Sequence, residues 1–554
     1  MAAQNMDQQA QQVSSRSWTT RRDEKQRRLR LVSSWMKGPL LPRDKLVESL
    51  QLLIAPGDRI VLEGDNQKQA DFLSRSLVRA DPKKLHDLHL IISSISRPEH
   101  LTLFELGIAK KVDFAFAGTQ SLRVSQLLED GVLEIGAIHT YVELYARLLV
   151  DLAPNVVLVC ALQADAAGNL YTGPETEDTP VIVEAGAFHD AIVIAQVNEI
   201  VDKLPRVDIP SSWVDVIVEA DRPFALEPLF TRDPRHIDDL QILMGMMVIR
   251  GIYERHQVRS LNHGIGFDTA AIELLLPTYG ESLGLRGKIC KHWTLNPHPT
   301  LIPAIESGWV ESVHCFGSEL GMDDYTRARP DVFFTGRDGS LRSNRVLCQL
   351  AGQYAVDAFV GATLQIDGYA NSSTVTAGRI SGFGGAPNMG HDPHGRRHSS
   401  PAWLDLKTDP SPTARGRKLV VQTVQTFAKG GVPAFVETLD AVAVGKKAGM
   451  PIAPVMIYGD DVSHVVTEEG IAYLYKTEGM EERRRALAAV AGVSPVGMRA
   501  KPQETAALRQ RGIVAFPEDV GVKRLQAKRS LLAARSMEDL AAWSGGLYKT
   551  PSRF

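Results

Sequence analysis

The chain has 554 residues, more than one hydrophobic core accommodates, so two or three domains are expected. A hydrophobic content of 44%, a charged content of 23% and a formal net charge of −3 describe an ordinary folded protein and exclude one built to coat nucleic acid. The four cysteines (Cys160, Cys290, Cys315, Cys348) are far apart with no C-x-x-C spacing, and no apolar run reaches the ~18–20 residues of a spanning helix. A disulfide framework, a zinc site and a membrane contact are therefore not expected, nor is a signal peptide, and the composition fits a cytoplasmic protein.

Residues 1–38 form a polar, then basic arm with seven Lys or Arg between Arg16 and Arg30. Asp23 and Glu24 dilute that charge, so the arm reads as a helix packed on the body or on a neighbour rather than on nucleic acid. From 39 to 235, short runs rich in β-branched residues alternate with helical patterns. "DRIVLEG" (58–64), "LHLIISSIS" (88–96), "VDFAFAG" (112–118), "NVVLVCAL" (155–162), "AIVIAQVN" (191–198) and "VDVIVEAD" (214–221) predict buried strands of a largely parallel sheet. A second cycle fills 236–554. "QILMGMMVIRGIYER" predicts a helix, and strands are predicted in "SLNHGIG" (260–266), "GKICKHW" (287–293), "VESVHCFG" (310–317), "DVFFTG" (331–336) and "ATLQIDG" (362–368). After a polar linker at 405–418 come "KLVVQTVQTF" (418–427), "PAFVETL" (433–439) and "APVMIYG" (453–459), and a mainly helical C-terminal extension closes the chain. The expected fold is α/β: two related open α/β domains, the second extended by helices.

Three loops after predicted strands bear candidate chemistry, because ligands of open α/β sheets bind beyond strand carboxyl ends. Asn66, Gln67 and Lys68 are donors at a predicted helix start; simple helix capping explains them equally well. "NHGIGFDTA" places Gly264 and Gly266 before a helix, where a tight turn is the plain alternative. "GRISGFGGAPNMGHDPHGRRH" (378–398) packs six glycines, three histidines and three arginines into 21 residues. It matches neither a P-loop nor a dinucleotide fingerprint, which leaves a backbone nest whose N–H groups point at one oxyanion. His391, His394 and His398 lack a fourth ligand of recognisable spacing, and Arg396 and Arg397 are poor company for a cation, so no metal is expected.

"ALQADAAGNLYTG" (161–173), with Asp165, Gly168 and Gly173, is similar to a first-domain segment of the coenzyme A transferases. "AQVNEIVDKLPRVDIPSSWVDVIVEADRPF" (195–224), with Asn198, Pro205 and Arg206, "QIDGYANSS…GRISGFGGAPN" and "HVVTEEGIAYLYKTEGMEERRRALAAVAG" (464–492) follow the same superfamily in order. Leu162 and Tyr171 depart from its hydroxyl positions. The whole chain, from "VLEGDNQKQADFLSRSL" through "TLNPHPTLIPAIESGWVESVHCFGSELGM" to "WSGGLY", resembles the malonate decarboxylase α-subunit family.

That resemblance implies an acyl-carrier-protein transferase that exchanges acetate for malonate on the carrier's phosphoribosyl-dephospho-CoA thiol. It binds no tight cofactor of its own and accepts CoA thioesters as possible surrogates. Implied partners are the carrier (δ) subunit, the β and γ decarboxylase subunits, malonate and acetate. Many relatives carry a nucleophilic Glu after a second-domain strand; here Phe316 stands in its place, and Glu319 is a shifted alternative. Without that Glu, malonate itself attacks the thioester. Gly384, Gly385, Ala386 and Gly266 are then expected as catalytic N–H donors or close-approach positions. Asn66, Gln67, Gly264, Asn388 and Arg97 are expected around the carboxylates, and Lys68, Arg396 and Arg397 at the carrier's phosphates. Citrate or acetate CoA transferase, acyl-CoA hydrolase and a non-catalytic scaffold are the alternatives.

Overall fold

The computed structural model describes residues 17–64, 68–173, 178–315, 317–333, 341, 356–390 and 400–554. It divides between Glu227 and Pro228 into two compact units, somewhat earlier than the sequence suggested. Ala225–Leu226 still pairs with Lys68–Gln69 of the first unit, whereas the Phe230 and Thr231 amides are already tied to Glu319 of the second.

Unit 1 opens with α1 (Ser17–Val32), docked by its basic residues. Arg28 pairs with the buried Asp58, Lys25 lies 2.8 Å from Asp215, and Arg22 bonds Asp190 at 3.2 Å. The arm's charge is thus used within the unit. A parallel sheet follows, made of β1 (Arg59–Leu62), β2 (Leu88–Ser94), β3 (Ala109–Phe116), β4 (Glu134–Ile138), β5 (Val156–Asp165), β6 (Ile192–Val201) and β7 (Val216–Glu219). Its spatial order is β4-β3-β2-β1-β5-β6-β7. All six predicted strands are present because each is a β-branched run buried on both faces. Helices α2 (Asp71–Val78), α3 (Pro98–Glu105), α4 (Ser121–Glu129), α5 (Tyr141–Val150) and α6 (Thr179–Phe188) alternate with them. A capping box starts α5: Thr140 accepts the Glu143 N–H at 3.1 Å while Glu143 accepts the Thr140 N–H at 3.4 Å.

Unit 2 repeats the plan. After α7 (Asp239–Val248) come β8 (Ser260–His263), α8 (Phe267–Leu275), β9 (His292–Thr294), β10 (Ser312–His314), β11 (Ala358–Ala362), the short α9 (Ala386–Gly390), β12 (Leu419–Thr423) and β13 (His464–Val466). The order is β10-β9-β8-β11-β12-β13, parallel throughout, and Phe333 of the predicted 331–336 strand bridges Val313 outside β10. Residues 334–336 of that run lie outside the described residues. The C-terminal region supplies α10 (Met480–Val490), α11 (Pro502–Gln510) and α12 (Met537–Trp543), and also two antiparallel strands, β14 (Ile471–Tyr473) and β15 (Val514–Ala515), that extend the sheet. Met537, Leu540 and Tyr548 enter the core of unit 2, and the Ala533 N–H donates to Leu274 O of α8 at 3.0 Å.

Candidate functional site

A parallel sheet opens its ligand crevice beyond the strand carboxyl ends where the order reverses. In unit 1 the reversal lies between β1 and β5, and in unit 2 between β8 and β11.

Beyond β1 stand Glu63 and Gly64; Asn66 and Gln67 lie outside the described residues. Gly64 has no room for a side chain, since a Cβ would meet Ser94 O at 2.7 Å and the His100 ring at 2.8 Å. Lys68, expected to face a phosphate, is instead fully buried: its Nζ donates to Thr179 Oγ1 at 2.5 Å and lies 3.6 Å from the Glu63 carboxylate. Glu63 also accepts the Thr179 hydroxyl and, at 2.6 Å, the Cys160 N–H. Lys68 therefore fastens the loop from inside, and the phosphate assignment is withdrawn. Arg97 lies 3.5 Å from Glu99 and 3.8 Å from Glu227, beyond hydrogen-bond length, and its buried Nε has no acceptor among the described residues. His100 beside it is fully buried, and burial pushes its imidazole down to about 3.

In unit 2, Gly264 and Gly266 follow β8 as predicted. The Gly264 N–H donates to Val360 O at 2.8 Å, so this glycine extends the β8–β11 ladder and serves strand contact, not ligand contact. Gly266 caps α8, its carbonyl accepting the Ala270 N–H at 3.2 Å and the Thr269 hydroxyl at 3.1 Å. A Cβ there would lie 3.6 Å from that of Ala362, at the end of β11. The glycine-rich loop leads into α9, which packs on the same strand. Gly382 and Gly384 take the left-handed φ values +75° and +61°, which favour glycine. The Ala386 N–H donates to Phe383 O at 3.3 Å and is corrected from the donor set. No acceptor among the described residues takes the Gly384 or Gly385 N–H. Asn388 Oδ1 is buried and also without a partner there. Arg396, Arg397 and the three histidines of 391–398 lie outside the described residues, as does Phe316. Among the described residues no cluster of His, Cys, Asp or Glu is arranged to hold a metal.

Several residues of the superfamily-like segments prove to build turns. Asp165 accepts the Ala167 and Asn169 N–H groups at 3.1 and 2.9 Å, and Asp367 accepts those of Tyr369 and Asn371 at 2.9 and 3.0 Å. The same Asp-x-x-x-Asn turn thus occurs once in each unit. Arg206 holds Asp208 at 2.5 Å and Gly173 O at 2.8 Å. Glu319 is also structural: it is fully buried, and one oxygen accepts the Phe230 N–H at 3.2 Å, the Thr231 N–H at 3.0 Å and the Thr231 hydroxyl at 2.7 Å. A carboxylate held by three donors is a poor nucleophile.

The sequence reading missed a buried polar network beside the unit 2 crevice. Glu273 of α8 accepts His263 Nδ1 at 2.9 Å, His298 Nδ1 at 3.0 Å and the Thr300 hydroxyl. Its carboxyl is held down to about 2 against complete burial, by His298 first among its partners. Tyr253 OH meets His263 Nε2 at 2.7 Å. The sequence signal was faint: a histidine between two prolines, 297–299, just after a strand. Asp268, in the first turn of α8, is bonded by Thr423 and Gln241, and burial pushes its carboxyl up to about 6.

A family model described as "Malonate decarboxylase, alpha subunit, transporter" matches residues 17–554. The chain is 58% identical over 522 residues to the acetyl-S-ACP:malonate ACP transferase of Malonomonas rubra, covering 93% of this chain and 94% of that one. A crystal structure of a Pseudomonas malonate decarboxylase hetero-tetramer in complex with malonate contains a chain 70% identical to this one. The match covers 97% of this chain and 99% of that one with a TM-score of 0.94. The citrate lyase alpha subunit from Streptococcus mutans, 16% identical, covers 83% of this chain and 87% of its own at a TM-score of 0.57, a likeness of fold alone.

Proposed function

The chain belongs to the family of malonate decarboxylase alpha subunits, and from that membership we infer that it is an acyl-carrier-protein transferase. It exchanges acetate for malonate on the carrier thiol, giving malonyl carrier and acetate. The observation that carries this reading is the match along nearly the whole chain to the Malonomonas rubra transferase. The thiol is assigned to a phosphoribosyl-dephospho-CoA group on a partner carrier, with CoA thioesters as surrogates. The chain is assigned to a cytoplasmic multisubunit complex with the carrier and the two decarboxylase subunits, in line with the related hetero-tetramer.

The chemistry follows from the substrates. Malonate is ionised at neutral pH, so one carboxylate attacks the acetyl carbonyl without a general base. The carrier sulfur leaves, and a mixed acetic–malonic anhydride forms. The same sulfur then attacks the malonyl carbonyl and expels acetate. Thioester replaces thioester, so no ATP is needed. The protein supplies proximity, contributing about 7–11 kcal/mol, and N–H donors for two successive oxyanions, with ~2.7–4 kcal/mol lost per donor removed. Gly384 and Gly385 are assigned to the oxyanions, because among the described residues their N–H groups have no acceptor. Gly266 is assigned to the approach beside them, and Asn388 to a carboxylate through its amide N–H donors, on residue type alone. Arg97, whose ion pairs are long, is assigned to the distal carboxylate. Asn66, Gln67, Arg396 and Arg397 keep their carboxylate and phosphate assignments on residue type alone. Glu319, tied by three donors, favours direct attack by malonate over a glutamyl intermediate.

The test is to mix the purified chain with acetyl-CoA or acetyl carrier and malonate, citrate, acetate, succinate or water, and to identify the new thioester by mass spectrometry. Malonyl thioester formed in preference is the expected result. Citryl thioester or simple hydrolysis overturns the substrate, and no turnover with carrier present points to a scaffold.

A further inference from the structure

The Glu273–His298 pair has the build of a proton-handling dyad, and nothing in the exchange just described uses it. His298 follows β9 by Leu295, Asn296 and Pro297, and so stands at a carboxyl end of the sheet, one strand from the β8–β11 crevice. Its ring stacks on Phe230 with centroids 5.4 Å apart and planes 21° apart, which fixes the ring plane. Nδ1 is fixed by the 3.0 Å bond to Glu273. Glu273 is in turn held by His263 and Thr300, with Arg232 the other charged group acting on it. Nε2 bonds no described residue, and the side chain keeps 5% of its surface open. A histidine serving only to satisfy Glu273 has no need to stand at a strand end with its second nitrogen bonded by none of the described residues.

Resting on the transferase reading, we propose that His298 is the acid–base group of the exchange and Glu273 the residue that positions it. The C–S bond of the acetyl thioester breaks, its electron pair goes to sulfur, and Nε2–H gives sulfur its proton, leaving a neutral imidazole. As the thiol attacks the malonyl carbonyl of the anhydride, Nε2 takes that proton back, and the bond to the bridging oxygen breaks with its electrons on the departing acetate. Protons balance over the cycle. One group serves both halves because each is close to the reverse of the other. The buried carboxylate of Glu273 takes the Nδ1–H and so fixes the tautomer and aim of the ring.

The experiment uses the full chain with malonate and two donors, acetyl-CoA and an acetyl aryl thioester whose acidic thiol leaves unprotonated. The expected result for His298→Asn is a kcat lower by roughly 10²-fold with acetyl-CoA. Its KM for malonate stays near wild type, and the deficit largely disappears with the aryl thioester. Glu273→Gln follows the same pattern, the double variant is no worse than His298→Asn, and Glu273→Asp recovers part of the rate. His298→Gln, which keeps an amide donor, guards against a variant that fails to fold. An equal deficit on both donors, a rise in malonate KM alone, or a wild-type rate overturns the proposal and leaves the transferase reading standing. No malonyl thioester from the wild-type chain with either donor overturns the transferase reading, and this proposal with it.

Discussion

Asp268 shows how a single buried group sets a pH dependence. Burial raises its carboxyl to about 6, above the ~3.9 of an exposed aspartate, so between those values the folded chain holds a proton that the unfolded chain has released. Stability therefore falls as pH rises from about 4 to about 6, and above that the ionised group costs about 3 kcal/mol. Asp268→Asn keeps the shape and the capacity to bond Thr423 and Gln241. Its thermal midpoint is expected to gain on wild type as pH rises, with the gain fully developed at pH 8 and nearly absent at pH 4; a gain independent of pH refutes the assignment. Lys68 makes the opposite case, a charge retained because it is paired. Lys68→Met leaves Glu63 buried with, among the described residues, the Thr179 hydroxyl and the Cys160 N–H, and breaking such a pair costs about 3–5 kcal/mol. The expected outcome is a large fall in the unfolding midpoint. A raised KM for acetyl-CoA in a chain of normal stability would instead restore the phosphate role.

Among elements, α1 is where sequence and structure are most usefully compared. Its charge pattern suggested a solvated helix on the body or on a neighbour, and the structure seats it on unit 1 through Arg28–Asp58 and Lys25–Asp215. Arg28→Ala strands the buried Asp58 and removes a bond to Leu53 O at 3.1 Å, so a loss of about 3 kcal/mol is expected, read as a lower urea midpoint. Six of the seven strands of the unit 1 sheet were legible as short apolar runs rich in β-branched residues, whereas β4, "EIGAI", interrupted by Gly136, was missed. Those missed were short or broken. β11, "AFVGA", is thinned by Gly361, and β13 to β15 are two or three residues each with polar flanks. "APVMIYG" looked like a strand yet only bridges Ser372 through Ile457, because Pro454 has no N–H to donate to a ladder. At the site, residue type showed which loops mattered but not which N–H groups were already spent. Gly264 and Ala386 look the same in sequence as Gly384 and Gly385; only their partners, Val360 O and Phe383 O, set them apart. The Glu273–His298 pair was illegible because its members, on a helix and a strand end, share no spacing.

At the scale of the whole molecule, both units reverse their strand order after the first strand, and both carry an Asp-x-x-x-Asn turn, so one plan is used twice with different loops at its carboxyl ends. The superfamily-like residues mostly build this plan, which is why they spoke for fold more clearly than for mechanism. Glu319 is immobilised by three donors and is unsuited to nucleophilic attack. This makes the route of one oxygen atom decisive. When malonate attacks directly, the bridging oxygen of the anhydride comes from malonate and departs with acetate. Uniformly 18O-labelled malonate, incubated with acetyl-CoA and an excess of the chain for a single turnover, is therefore expected to give acetate carrying one 18O. If an enzyme carboxylate attacks first, that acetate takes its oxygen from the protein and carries none, and the label arrives only in later turnovers. Unlabelled first-turnover acetate would require a nucleophilic carboxylate elsewhere in the chain, since Glu319 would have to give up three hydrogen bonds before it could react.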